Sequence, residues 1–234
     1  MTNNQWNELL AVINGAPRNR APIGFIIDSP WLPNWFGIDI LDYFTNETLW
    51  FEANRKAIET FPEVMFLPGF WSEFGMCTEP SAFGAKCVFH KNEFPFAEKT
   101  IRDVAQIDDL AEPDPATDGL LPFMLNRLKS VRPRLEDMGH KIRFSVSRGP
   151  LNVATFLMGT TEFLMALKTD RTKRTSSCAQ LLSSSKSGTH SSVRRFPPST
   201  ACSCWTTSLA SSASRTSRNL VCPTSRNSMR LTSR

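Results

Sequence analysis

The chain has 234 residues, enough for one large domain or two small ones, and 41% of them are hydrophobic. Its charge is divided unevenly. All 22 acidic residues lie at or before Asp170, whereas residues 171–234 carry 11 Lys or Arg and no acid, so the net charge of +5 combines −6 with +11. No apolar run reaches the length of a membrane span and the N-terminus does not resemble a signal peptide, so we expect a cytoplasmic protein without a membrane partner.

The cysteines and histidines do not predict a metal centre. Cys77 and Cys87 are the two cysteines in the first 170 residues, and their spacing matches no metal or redox motif. We expect both to be reduced thiols, as is usual in the cytoplasm. His90 lies beside aromatic residues, and a single histidine next to a strand does not complete a metal site.

Two predicted elements open the chain. Residues 5–13 have the apolar spacing of an amphipathic helix, which ends at Gly15. Residues 22–28 form a nearly continuous apolar run, a pattern typical of a strand buried on both faces of a parallel sheet. The run ends on Asp28, at the end of the strand where α/β folds place their catalytic groups. We therefore predict that Asp28 is catalytic and holds a proton or a cationic group of the ligand.

A loop rich in aromatic residues and proline is predicted next, over residues 29–37. Its Trp31 is a candidate substrate-binding residue, since an aromatic loop can form one wall of a pocket for a flat or apolar ligand. The alternative is a rigid loop that packs on its own part of the fold. A helix over residues 46–61 follows, with Asn46 or Thr45 as its N-cap.

A second short strand, residues 64–67, leads into a loop that contains Glu73. Glu73 is therefore the second candidate catalytic acid, again placed just beyond a strand. Residues 83–89 are β-like and flanked by glycine, which indicates a hairpin inserted in a loop. A long helix is predicted over residues 119–138, where Pro133 would kink or split it.

The third predicted strand, residues 142–146, ends just before Arg148. A guanidinium at a strand end suits the binding of a carboxylate, so Arg148 is a candidate substrate-binding residue. A salt bridge within the protein is the alternative role. Two helices follow, over residues 151–158 and 160–167, separated by Gly159.

A strand followed by a helix repeats about three times in the first 170 residues, which predicts an α/β fold with a parallel sheet. A (β/α)8 barrel of the TIM type needs about 250 residues, so we expect the N-terminal half of such a barrel here. An open doubly wound sheet is the alternative, although no glycine-rich dinucleotide loop supports it. Half a barrel leaves strand edges unpaired and an apolar face exposed, so we expect residues 1–170 to be poorly folded and inactive.

The tail after Asp170 differs from the rest of the chain in kind. Residues 171–234 contain 18 Ser and 9 Thr, and no hydrophobic period of a helix or strand is visible. One interpretation is a disordered linker, and another is a basic segment of a non-enzymatic protein that binds nucleic acid. The tail also holds Trp205, clustered prolines and a Cys-Ser-Cys triplet, which such segments usually lack. A shifted reading frame explains this mixture better, and we expect the tail to be irregular or disordered.

The genetic code supports the shifted frame. If each true codon joins the last base of one residue's codon to the first two bases of the next, Trp205 and Thr206 together encode Asp. With the free bases chosen, residues 171–182 can encode PDEAHKLLRTIT, and the codons from Ser199 onward can encode a string that begins DGMLVLDD. Both strings contain the acids and the apolar spacing that the present tail lacks.

Residues 148–170, RGPLNVATFLMGTTEFLMALKTD, resemble the uroporphyrinogen decarboxylase superfamily. Members carry a strand, then Gly-Pro, a helix rich in aliphatic residues and Thr, a Gly, and a further helix. The opening segment NRAPIGFIID is similar to the family's first strand, and the restored PDEAHKLL continues the pattern. The resemblance covers residues 20–170 and implies a (β/α)8 barrel of about twice this folded length.

The resemblance implies two chemistries, both on a small-molecule substrate. One is the cofactor-free, carboxy-lyase reaction on the tetrapyrrole uroporphyrinogen in porphyrin biosynthesis. The other is a methyltransferase reaction, from a corrinoid-linked methyl donor to a thiol on zinc. The family's Tyr in the Gly-Pro helix aligns with Phe156, a candidate substrate-binding position that here lacks the hydroxyl. The zinc ligands would lie in the half that is not encoded here, so no cofactor is assigned to this chain, and a homodimer is implied for the intact family member.

Sequencing the gene across codons 165–234 tests the shifted frame. We expect one neighbouring frame after codon 170 to encode PDEAHKLL and DGMLVLDD or close variants of them. A gene whose neighbouring frames cannot encode these strings would contradict the hypothesis.

Overall fold

A computed structural model describes residues 1–169, except residues 18, 28–29, 108–109 and 144–145, together with residues 203–205. The helices are α1 (Asn3–Ile13), α2 (Trp31–Phe36), α3 (Ile40–Thr45), α4 (Glu47–Thr60), α5 (Thr78–Ala82), α6 (Leu121–Asp137), α7 (Pro150–Met158) and α8 (Thr160–Thr169), with a 3-10 helix at Val104–Ile107. The strands are β1 (Ile23–Phe25), β2 (Val64–Phe66), β3 (Cys87–Val88), β4 (Phe96–Ala97), β5 (Val146–Arg148) and β6 (Ser203–Trp205).

The described strands form three separate two-stranded sheets. β1 and β2 are parallel, β3 and β4 form an antiparallel hairpin, and β5 is parallel to β6 from the tail. The α/β class is therefore confirmed, with strands alternating with helices along the chain. Over the same described residues the sheets do not close into a barrel.

The first strand is exposed, and the prediction that it is buried on both faces is wrong. Every residue of β1 is exposed, including Phe25, of which 56% is accessible to solvent. β2 covers one edge of β1, with Phe25 opposite Phe66, and no described strand pairs with the other edge. The apolar pattern of β1 therefore suits a sheet that continues on both sides, whereas the described residues supply one neighbour.

The larger of two hydrophobic cores forms around α3, α4 and α6. Phe44 and Trp50 are fully buried at its centre, and the indole Nε1 of Trp50 donates a hydrogen bond to the carbonyl oxygen of Trp71 at 3.2 Å. The guanidinium of Arg127 lies over the ring of Trp50, 5.2 Å from its centroid, and donates to the carbonyl oxygen of Phe44. This core stabilises the helices that surround β2.

The second core forms around α7 and α8. Its buried residues are Ala85, Ile101, Ile107, Val153, Ala154, Leu157, Met158 and Phe163. The end of α7 is held by two backbone bonds, because the amides of Thr100 and Ile101 both donate to the carbonyl oxygen of Leu157, at 2.8 and 2.9 Å. The short helix α5 packs against both α6 and α7, and it therefore links the two cores.

Close packing at the start of α6 requires glycine. Gly119 has a φ of +55°, and a Cβ atom placed there would lie 2.5 Å from the backbone of Ser81 and Ala82 in α5. The next residue, Leu120, donates its backbone N–H to the Ser81 hydroxyl at 2.9 Å. The chain therefore enters α6 in direct backbone contact with α5.

Several local predictions are confirmed. The predicted first helix forms, and Thr2 and Gln5 cap it reciprocally through their side chains and backbone amides. Asn46 is the N-cap of α4, where its side chain accepts from the amide of Leu49. α6 also forms, and it runs unbroken through Pro133, so the predicted split does not occur.

The loop predicted over residues 29–37 is wrong in part, because six of these residues form α2. Leu32 and Pro33 face the core, and the rings of Trp31 and Trp35 stack one helical turn apart, with centroids 5.4 Å apart. Gly37 ends the helix in the left-handed conformation. The density of aromatic residues and proline suggested a loop, whereas packing of one helical face decides the structure.

Two further boundaries differ from the predictions. The last strand is predicted over residues 142–146, of which 144–145 lie outside the described residues; the described strand is Val146–Arg148, so Arg148 lies within it. Of the β-like stretch over residues 83–89, Cys87–Val88 alone is strand, and it pairs with Phe96–Ala97 to give the predicted hairpin. No helix of the described residues is long and apolar enough to cross a membrane.

Replacing one buried and one exposed phenylalanine by alanine tests the position of the larger core. Phe44→Ala should lower the free energy of unfolding by about 3–5 kcal/mol, because it removes a fully buried ring and leaves a cavity. Phe123→Ala is the control, because 63% of the Phe123 surface is exposed. It should change the free energy of unfolding by less than about 0.5 kcal/mol. Urea unfolding followed by tryptophan fluorescence gives both values, and equal losses would contradict the position of the core.

Candidate active site

A buried ionic cluster joins three segments that are far apart in the chain. The guanidinium of Arg148 lies between two carboxylates, with Nη2 at 3.1 Å from Oε2 of Glu73 and Nη1 at 3.2 Å from Oε2 of Glu79. The backbone N–H of Arg148 donates to Oε1 of Glu79 at 2.7 Å. Glu79 therefore binds both the side chain and the main chain of the arginine.

Each member of the cluster is held by a different element. Arg148 is the last residue of β5, directly before the Gly149-Pro150 start of α7. Glu79 lies in the first turn of α5. Glu73 lies in the segment between β2 and α5, where the amide of the next residue, Phe74, donates to the Thr78 hydroxyl at 2.8 Å. This bond folds residues 73–79 so that both glutamates face the same arginine.

Burial makes these contacts strong. The side chains of Glu73, Glu79 and Arg148 are 4%, 15% and 16% exposed. Burial alone lowers the pKa of Arg148, but Glu79 and Glu73 outweigh it and hold the pKa above its ordinary value. With all three groups ionised the cluster carries a net charge of −1, so the guanidinium is fully balanced by the protein's own carboxylates.

Two thiols lie next to the cluster. Cys77, which lies between Glu73 and Glu79 in the sequence, is fully buried, and the Cys87 thiol donates to its carbonyl oxygen, with sulfur and oxygen 3.9 Å apart. Burial raises the pKa of Cys77 far above its ordinary range, while the nearby charge of Arg148 lowers it slightly. Burial also raises the pKa of Cys87. Both groups are therefore neutral thiols at neutral pH.

A buried tyrosine, Tyr43, interacts electrostatically with Glu73. The Tyr43 hydroxyl accepts a hydrogen bond from Nδ2 of Asn54 at 3.2 Å. Burial raises the pKa of Tyr43 strongly, and the charge of Glu73 raises it further. Tyr43 is therefore a neutral hydroxyl whose electrostatic environment includes the carboxylate of Glu73.

The structure brings together some of the residues that the sequence predicted. Glu73 and Arg148 are in direct contact, whereas Asp28 lies outside the described residues. Trp31 is on α2 with its ring stacked on Trp35, and it is partly exposed. Phe156 lies half-buried on α7, two turns after Arg148. The catalytic and substrate-binding roles of these residues remain predictions.

Sequence reasoning missed Glu79, and it did not place the two thiols beside the cluster. The available signal was the segment Glu73–Glu79, in which two acids and a cysteine follow a strand within seven residues. The described residues contain no group of three or more His, Cys, Asp or Glu side chains placed to bind a metal ion. The cluster is therefore an arrangement of proton-carrying and ionic groups.

The family model for uroporphyrinogen decarboxylase (URO-D) matches residues 5–189. The chain belongs to the URO-D family. This confirms the resemblance seen in residues 148–170, and the matched range contains every member of the ionic cluster. Residues 190–234 lie outside it.

Comparison with solved structures finds a similar fold. A methyltransferase from Methanosarcina mazei superposes with a TM-score of 0.56 at 20% sequence identity. The match covers 82% of this chain and 55% of the methyltransferase, so the URO-D family chain spans about half of that structure. At this identity the similarity concerns the fold alone. Among curated proteins, none matches the sequence significantly.

The cluster predicts a large stability cost for loss of the arginine. Arg148→Met keeps much of the side-chain volume but leaves two carboxylates without their buried counter-charge, so we expect a loss of about 3–5 kcal/mol. Lys99→Met is the matched control, since it removes one partner of the exposed Lys99–Glu162 pair and should have little effect. Urea unfolding at neutral pH measures both variants, and a small loss for Arg148→Met would contradict the burial of the cluster.

Proposed function

We propose that the chain is the N-terminal half of a URO-D superfamily barrel and is catalytically inactive without the other half. The share of the methyltransferase structure that it matches, 55%, supports this proposal. The pairing of β1 supports it as well: among the described strands it has one neighbour, whereas a barrel strand needs a neighbour on each side. On this view residues 1–170 are the partial barrel and residues 171–234 are an out-of-frame tail.

The ionic cluster is the observation that carries the assignment of a site. Strands of a barrel run in one direction, so the ends of β1, β2 and β5 meet at the catalytic face. β1 and β2 are parallel and in register from Ile23–Val64 to Phe25–Phe66, so the segment with Glu73 leaves β2 at the same edge of the sheet at which β1 ends. Glu73 would exchange a proton with the substrate, and Arg148 would orient its carboxylate.

The charge of the cluster favours methyl transfer over porphyrinogen decarboxylation. Uroporphyrinogen carries several carboxylates, and a site for it needs cations that are free to bind them. Arg148 is instead occupied by Glu73 and Glu79, and the cluster is net negative. A neutral thiol acceptor and a corrinoid-linked methyl donor place no such demand on the site. Phe156 agrees with this preference, since it lacks the hydroxyl that the decarboxylases carry there.

Decarboxylation is the second candidate, and the family match is the observation that favours it. In that role Arg148 would exchange one glutamate for a substrate carboxylate, and Trp31 and Phe156 would contact the apolar parts of the ligand. The substrate would be a small molecule with an acetate side chain, and the reaction would need no cofactor.

The described residues do not by themselves supply the zinc site that thiol methylation implies. No described group of three potential ligands exists, so no step of the proposal passes through a metal. The role given to this half of the barrel is to place a carboxylate and a buried cation at the catalytic face. An intact member would also offer the surface for the proposed homodimer.

Restoring the frame tests the proposal directly. One base is inserted or deleted near codon 171, and the product is assayed for methylcobalamin-dependent thiol methylation and for coproporphyrinogen formation. We expect methylation in the restored protein and neither activity in the present chain. Glu73→Gln in the restored protein should lower kcat by about 10²–10⁴-fold, as expected for loss of a proton-transfer group.

Glu162→Gln is the matched control, since its carboxylate is exposed and paired with Lys99, and it should leave kcat unchanged. Coproporphyrinogen formation instead of methylation would favour the second candidate. Absence of both activities, together with salt-dependent DNA binding by a peptide of residues 171–234, would favour the basic binding protein instead.

A further inference from the structure

Cys77 and Cys87 form a thiol pair that the proposed chemistry does not use. The Sγ atom of Cys87 lies 3.9 Å from the carbonyl oxygen of Cys77 and 3.6 Å from that of Ala85, so its side chain is directly beside residue 77. Both thiols are free in this structure. Because the Cys87 sulfur already lies against the backbone of Cys77, a small movement of the two side chains could bring the residues to the geometry of a disulfide.

The two thiols differ in access. Cys77 is fully buried at the start of α5, whereas Cys87 is partly exposed at the start of β3. Burial raises the pKa of both thiols, while the interaction between them raises the pKa of Cys77 further and partly offsets the rise at Cys87, so Cys87 is the more readily deprotonated of the two. Cys87 is therefore the thiol that meets a reagent from solvent, and Cys77 is placed behind it.

We propose that Cys77 and Cys87 are a redox modification site, which a low-molecular-weight disulfide such as oxidised glutathione converts to an intramolecular disulfide. The thiolate of Cys87 attacks one sulfur of the reagent, forms a mixed disulfide and releases one thiolate. The Cys77 sulfur then attacks Cys87, and the second reagent thiolate leaves. The two protons of the cysteines end on the two released thiols, so the protein loses two electrons and the reagent gains them.

The modification would act on the candidate site through the segment that holds its acids. Cys77 lies between Glu73 and Glu79, and the amide of Met76 donates to the carbonyl oxygen of Pro95 at 3.2 Å, next to the β3–β4 hairpin. A bond from Cys77 to Cys87 would tie this segment covalently to the hairpin. The oxidised form therefore restricts the movement of Glu73 and Glu79 relative to Arg148.

The test uses the full chain with the four tail cysteines replaced, as Cys178→Ser, Cys202→Ser, Cys204→Ser and Cys222→Ser. The folded protein is treated with oxidised glutathione, and intact mass and peptide mapping are recorded. We expect a loss of two hydrogen atoms in mass and a cross-linked peptide that joins Cys77 to Cys87. Dithiothreitol should reverse both changes.

Two controls make the result specific to the fold. In Cys87→Ser the buried Cys77 should remain unmodified, and the same reagent in guanidinium chloride should give mixed disulfides in place of the fast cross-link of the folded chain. A stable mixed disulfide at Cys87 in the folded protein would overturn the proposal. So would cross-linking that is no faster in the folded chain than in the unfolded one.

Discussion

A guanidinium that is mostly removed from water must be neutralised inside the protein, and Arg148 sets this constraint for the structure. The two carboxylates that satisfy it come from the segment after β2 and from α5, so one arginine joins β5 to both. The larger core surrounds β2 and α6, and the smaller core surrounds α7, which starts directly after Arg148. The ionic cluster therefore lies where the two cores meet, and α5 packs beside it.

The same folded region leaves apolar surface uncovered. The strand β1 pairs with β2 on one edge, and its side chains Ile23 and Phe25 are exposed. Leu164 and Met165 of α8 are exposed as well, at the other end of the described region. Exposed apolar positions on a strand and on a helix are expected where a neighbouring layer is missing. This agrees with a chain that spans about half of the methyltransferase structure whose fold it resembles.

The sequence predicted the class of the fold and two of the three members of the ionic cluster. Periodicity located α1, α4 and α6, and the position of acids after strands pointed to Glu73, because both signals depend on local pattern. The family followed from residues 148–170, and the family match confirms it. These features are encoded within short segments, and reasoning on one segment at a time can therefore find them.

Other features depend on contacts between distant segments. Glu79 pairs with Arg148 across 69 positions, and nothing near Glu79 in the sequence indicates that partner. The helical form of residues 31–36 depends on the burial of Leu32 and Pro33, which outweighs the loop-like composition. The exposure of β1 depends on which strands the rest of the chain supplies. Each of these features is decided by tertiary packing, which cannot be read from the local sequence pattern.

A double-mutant cycle between Arg148 and Glu73 tests the central claim, that one buried arginine holds the site together. The free energies of unfolding of Arg148→Met, Glu73→Gln and the double variant are measured by urea unfolding at neutral pH. The structure predicts that the double variant loses less free energy of unfolding than the two single variants together. The difference, the coupling energy, should be about 0.5–3 kcal/mol for contacting partners. Additive losses, to within about 0.5 kcal/mol, would show that the two side chains do not interact and would contradict the account.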